Sequence, residues 1–136
     1  MTNTVSNKRL RYDCAEVEEL SGEQCRVKVF IALGENIIEK DAINSNDGIG
    51  RLKAAAVATL KAIEEAVEDR FTATLADLDH VNALGKDLIA VLVNVVFEGK
   101  EVQVFGSCQI AGSELDAAVK SALNATNRFF ELAMRA

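Results

Sequence analysis

Apolar and polar residues alternate along much of this chain, and the alternation is broken twice by stretches with helical spacing. Val27, Val29, Ile31 and Leu33 alternate with Arg26, Lys28, Phe30 and Ala32. Period two is the signature of a strand with one buried face. Leu10, Tyr12 and Cys14 alternate with Arg11 and Asp13 in the same way, and Ile37 to Ile43 returns after the turn Gly34-Glu35-Asn36. The turn-rich segment Asn44 to Gly50 follows, and then the period changes. Leu52, Ala55, Ala56, Thr59, Leu60, Ile63 and Val67 recur at three and four, which predicts an amphipathic helix capped by Asp47.

The second half repeats this order. Phe71 to Leu78 alternates, and Asn82 to Lys86 reads as a turn around Gly85. Leu88 to Phe97 predicts a long strand, Glu98-Gly99-Lys100 a hairpin turn, and Val102 to Ile110 the returning strand. Gly106 interrupts that strand and predicts a bulge or a close approach. Ser113 caps a second helix whose stripe runs from Leu115 to Phe130, with Asp116 where a capping box usually has Glu. Asp116 and Lys120 stand four apart, the spacing of an exposed pair.

The halves can be superposed. A shift of 63 places Leu52, Ala54, Ala55, Leu60 and Ala62 on Leu115, Ala117, Ala118, Leu123 and Ala125. A shift of 64 places Val27, Val29 and Ile31 on Val91, Val93 and Val95. A shift of 61 places Leu10, Cys14, Ala15 and Val17 on Phe71, Leu75, Ala76 and Leu78. The expected fold is therefore α+β, a duplicated β-β-β-α unit whose antiparallel sheets are covered by two amphipathic helices. Residues 1–8 are expected to be a disordered N-terminus, and 9–136 a single domain with repeats at about 9–69 and 70–134.

Composition narrows the function. The chain has 136 residues, 49% apolar and 26% charged, an ordinary globular mix. Its net charge of −6 and lack of a basic stripe disfavour binding to nucleic acid or to an anionic membrane surface. The longest apolar run, Leu88 to Val93, is too short to span a bilayer, and the first residues contain no apolar signal region. Cys14, Cys25 and Cys108 have no paired spacing, so they predict buried, reduced thiols and a cytoplasmic location rather than a zinc site or disulfides.

No nucleophile motif, phosphate loop or metal-ligand spacing stands out, so no cofactor, metal or catalytic residue is expected. The one histidine, His80 beside Asp79, is the only foothold for a small enzyme. Glu64, Glu65, Glu68 and Asp69 gather at the end of the first helix, where the dipole disfavours them, with Arg70 as the visible offset. The best ligand-binding candidates are the two helix starts, Asp47, Gly48 and Gly50 and then Gly112 and Ser113, whose amides could hold a carboxylate or phosphate.

Three segments carry a resemblance. They are Asp47-Gly-Ile-Gly-Arg-Leu-Lys-Ala-Ala, Leu84-Gly-Lys-Asp-Leu-Ile-Ala-Val-Leu-Val, and Phe105-Gly-Ser-Cys-Gln-Ile-Ala-Gly-Ser-Glu-Leu-Asp-Ala-Ala-Val-Lys-Ser-Ala-Leu-Asn. With the order of elements, the chain from about Cys25 to Arg128 resembles the C-terminal regulatory (dimerisation) domain of 2-isopropylmalate and citramalate synthases. It departs from that family at Gly50-Arg51-Leu52, where Gly-Pro-Val is usual, and at Leu88, where a small residue is usual. The resemblance implies a non-catalytic homodimer that binds a branched-chain amino acid or similar metabolite, alone or beside a larger enzyme. The other readings are a protein-interaction or structural subunit without a ligand, and a small enzyme using His80.

Overall fold

The computed structural model describes residues 9–135, so the expectation of a disordered segment at 1–8 lies outside the described residues. Eight elements follow in order: β1 (Leu10–Glu19), β2 (Gln24–Leu33), β3 (Asn36–Ser45), α1 (Gly48–Ala66), β4 (Phe71–Ala83), β5 (Lys86–Phe97), β6 (Lys100–Gln109) and α2 (Glu114–Arg135). They form two three-stranded antiparallel sheets, β1-β2-β3 and β4-β5-β6. The fold is the expected α+β arrangement of two β-β-β-α units.

Each helix lies on the inner face of its own sheet, α1 on β2 and β3 and α2 on β5 and β6. The helices also pack on each other, α1 reaches β4, and α2 reaches β1. This is why α1 is buried on more than its expected stripe. Ala54, Ala58 and Ala62, spaced by four, are fully buried beside Ala55, Leu60 and Ile63. A row of methyl side chains lets a second element approach without leaving a void. Phe71, Phe97 and Phe129 meet edge to face, with centroids 5.9 to 6.3 Å apart, and tie β4, β5 and α2 together.

The central strands match at the expected shift, because Val27, Val29 and Ile31 and their counterparts Val91, Val93 and Val95 are all buried. The first strands do not match throughout. β1 is bulged between Tyr12 and Cys14, and β4 between Leu75 and Asp77. The shift of 61 holds at Leu10 and at Val17, but Cys14 lies opposite Phe30, and Phe30's counterpart Asn94 faces Thr74. Cys14 therefore corresponds to Thr74 rather than Leu75, and Ala15 to Leu75. One extra residue inverts the faces of everything after it. So Cys14 points out and is exposed, against the expectation of a buried thiol, while Cys25 is buried and Cys108 partly so.

β4 also runs past Leu78 to Ala83. Its inward positions there are His80 and Asn82, and polar residues on the inner face hide the alternation. The turns around Gly85 and Gly99 are two-residue hairpins in which both residues have positive φ: Leu84 and Gly85, then Glu98 and Gly99. Such turns match the twist of the strands they join. At Gly106 the register of β5 and β6 is continuous, so the close approach is what the glycine serves, not a bulge. An added Cβ would run into the backbone oxygen of Ser121 and lie 2.6 Å from the amide nitrogen of Ala125.

Candidate functional site

At the start of α1, Asp47 is extended and its carboxylate accepts the amide of Gly50 at 2.7 Å. Nothing stands near the open side of Gly48. Gly50 is buried against β3, and a Cβ there would collide with the backbone oxygen and Oγ of Ser45. Its lack of a side chain is thus required by packing. Arg51 closes the flank, donating to Asn46 Oδ1 from Nη2 at 2.8 Å and lying 3.5 Å from Glu19.

At the start of α2, Gly112 takes φ 95°, a left-handed value that suits glycine. Ser113 Oγ accepts the amide of Asp116 at 3.1 Å, the expected cap. The Asp116 carboxylate does not reach back along the helix, nor does it pair with Lys120. It accepts the hydroxyl of Tyr12 at 2.5 Å, joining β1 of the first repeat to α2 of the second. Burial, and then the Asp116 hydrogen bond, push the Tyr12 phenol well above its ordinary range.

These contacts place the two starts apart. One is tied to Glu19 at the end of β1 and the other to Tyr12 near its beginning. Seven residue steps of strand separate them, roughly 20 Å. The structure gathers Asp47, Gly48 and Gly50 at one end of the first sheet and Gly112 and Ser113 at the other. It does not bring both groups into one pocket within a chain.

His80 is not oriented by Asp79, whose carboxylate instead accepts the His80 backbone amide at 2.8 Å. Its imidazole lies between Asp87 of β5, at 3.8 Å, and Glu114 of α2, at 3.6 Å. Sequence neighbours gave no hint of this, because the partners come from a hairpin and a helix start.

The acidic cluster at the end of α1 borders a shallow cleft of about 390 Å³ lined by Lys40, Lys61, Glu64, Glu65, Glu68 and Asp69. Its charges are largely answered. Lys40 Nζ lies 2.6 Å from Glu65, which raises the lysine's proton affinity. Glu64 accepts the backbone amide of Ala73 at 2.8 Å, and Arg70 pairs with Glu68 at 3.8 Å. The offset from Lys40 was invisible in the sequence, because it comes from β3 across the helix.

The outer faces of the sheets are the surfaces that the helices leave open. On β4-β5-β6 the alternate positions of β5 are Leu88, Ala90, Leu92, Asn94 and Val96, and Phe105 stands beside Leu92 on β6. Phe105 is 68% exposed and Val96 41%. On β1-β2-β3 the matching face is crossed by ion pairs, Arg26 with Glu18 at 3.1 Å and Asp41 at 3.4 Å, and Lys28 with Glu39 at 3.3 Å.

No protein-family model matches the chain, and no curated protein matches it. No helix of the described residues is long and apolar enough to cross a membrane.

Proposed function

We propose that this chain is a non-catalytic regulatory or dimerisation module that forms a homodimer and binds a small metabolite such as a branched-chain amino acid. The observation that supports it best is the open apolar face of β4-β5-β6, where Phe105 is 68% exposed. A large aromatic left in water on β6 beside the apolar outer positions of β5 extends an open apolar patch, and such patches mark contact surfaces. The resemblance to the regulatory domain of 2-isopropylmalate and citramalate synthases points the same way. In those enzymes the domain dimerises and holds the end-product amino acid between protomers. The separation of the two helix starts within one chain agrees with that. A ligand touching both would have to lie where starts from two protomers meet.

A thermal-shift series with leucine, isoleucine and valine tests the ligand. A ligand at 100 times its Kd stabilises the folded state by about 2.7 kcal/mol. For a domain of this size that is a rise of roughly 8 to 10 °C in Tm. A flat response to all three at millimolar concentration would remove the amino acid from the proposal. It would favour the second reading, an interaction subunit that uses the same face without a ligand.

A further inference from the structure

We infer that a second copy of the chain docks on the outer face of β4-β5-β6 alone, and that ion pairs on the matching face of β1-β2-β3 stop assembly at two. The inference rests on the dimerisation reading and adds that the matching face of the other sheet is excluded and why assembly closes.

The two sheets are repeats, so their outer faces can be compared position by position. The shift of 64 that superposes the central strands places Arg26 on Ala90 and Lys28 on Leu92. In the first sheet these positions anchor ion pairs between the strands, Arg26 with Glu18 and, diagonally, with Asp41, and Lys28 diagonally with Glu39. Covering such pairs strips water from every charge, and the desolvation cost can exceed the attraction regained. By register the two rows of the first sheet are Glu18–Arg26–Ile43 and Glu16–Lys28–Asp41, and their counterparts in the second sheet read Asp79–Ala90–Ser107 and Asp77–Leu92–Phe105. Charge survives only around the margin of this face, at Asp77 and Asp79 on β4, Glu101 on β6 and Lys86 at the start of β5, where the rim of an interface stays wet.

Charge also selects between the two faces. Each chain carries a net −6, so two copies repel unless they meet where charge is sparse. Area is sufficient. β5 has 12 residues and two neighbours, which at about 3.3 Å per residue and 4.8 Å per strand gives a flat face of roughly 550 Å². That is the same order as the ~800 Å² per partner of a stable interface. Two such faces pack about 10 Å apart, with Leu92 and Phe105 interdigitating with their copies.

Closure follows from having one adhesive face. A surface that binds its own copy about a two-fold axis is used up in the dimer. If both sheets were apolar outside, each dimer would expose two further faces and a chain of molecules would grow. The ion pairs of the first sheet prevent that growth.

Light scattering and sedimentation of the full chain at micromolar concentration test this. The wild type is expected at twice 14.7 kDa. Phe105→Glu, and independently Val96→Lys, should weaken association at least tenfold, while circular dichroism shows the fold kept. Ile37→Glu, on the outer face of the first sheet, should leave the dimer intact. Arg26→Leu combined with Lys28→Leu should produce species larger than a dimer. A dimer that survives Phe105→Glu and Val96→Lys but dissociates with Ile37→Glu would overturn the choice of face and leave the dimerisation reading standing. A wild type that stays monomeric would overturn that reading itself. A double leucine variant that remains dimeric would overturn the closure argument.

Discussion

Replacing Gly106 with alanine adds one methyl group at the tightest point between β6 and α2. That methyl would meet the Ser121 backbone oxygen, lie 2.6 Å from the Ala125 amide nitrogen and lie 2.7 Å from the Ala125 Cβ. Carbon atoms pack best at about 3.5 to 4.0 Å, so α2 must lift by roughly 1 Å. None of the opposing atoms belongs to a flexible side chain, so the whole turn has to move. A gap of that size forfeits a quarter to a half of each contact it opens. It also lengthens two bonds across the seam, Ser121 Oγ to the Ile89 carbonyl at 2.7 Å and Asn124 Nδ2 to the Ser107 carbonyl at 2.9 Å. Overpacking of this kind costs about 1 to 3 kcal/mol, and the lost bonds bring the expected value to about 3. Urea unfolding at constant m should show that loss, as should a fall in Tm of roughly 10 °C. The first repeat supplies an internal comparison. At the matching shift Ala42 stands where Gly106 does, opposite Val27 as Gly106 is opposite Val91, and it fits there. A Gly106→Ala variant within 0.5 kcal/mol of wild type would mean that α2 can move away from β6 freely, and the close approach would not be what Gly106 serves.

Other substitutions probe separate links. Gly50→Ala should destabilise by a similar mechanism, since the new methyl would strike the Ser45 backbone; calorimetry should give a loss of about 2 to 3 kcal/mol. Glu68→Gly should stabilise by about 0.5 to 1 kcal/mol in urea titrations. Glu68 follows the Val67 C-cap of α1 at φ 54°, a left-handed strain of roughly 1 to 2 kcal/mol that glycine relieves at a smaller entropic cost. Tyr12→Phe should cost about 1 kcal/mol by removing the hydroxyl from Asp116. The phenol's proton affinity is raised on folding, so its stabilisation is complete below pH 10 and declines as pH climbs above that value. The slope is at most about 1.4 kcal/mol per pH unit, and less because the ring is part-exposed. Tyr12 is the sole tyrosine and there is no tryptophan, so phenolate absorbance reads this group alone. A phenol titrating at its ordinary value would contradict the contact.

The strands, turns and both helices were legible wherever one face met the core and the other met water. Legibility failed in three physical situations. A bulge at Asp13 inverted the faces of β1, so Cys14 was placed inside when it lies outside. Polar residues on an inward face, His80 and Asn82, concealed the last third of β4. Partners from remote elements were invisible in principle, as with Tyr12 and Asp116, Lys40 and Glu65, or His80 and Glu114. The candidate helix starts were found correctly as caps. That they lie at opposite ends of a strand could only come from the fold, because it depends on which edge of the first sheet α2 crosses.

Side chains from the two helices reach the rims of the sheets. Lys61 donates to the Asp41 carbonyl of β3, Glu64 accepts from the Ala73 amide of β4, and Asn124 donates to the Ser107 carbonyl of β6. An edge strand normally offers its backbone as a template for another strand. Here three of the four edges have part of that template already occupied from within the same chain. An extended segment of another molecule would have to displace these side chains to pair along the full length of those three edges. Templated, fibre-like growth on these edges is thus opposed by groups that a fold diagram would show only as helix decoration.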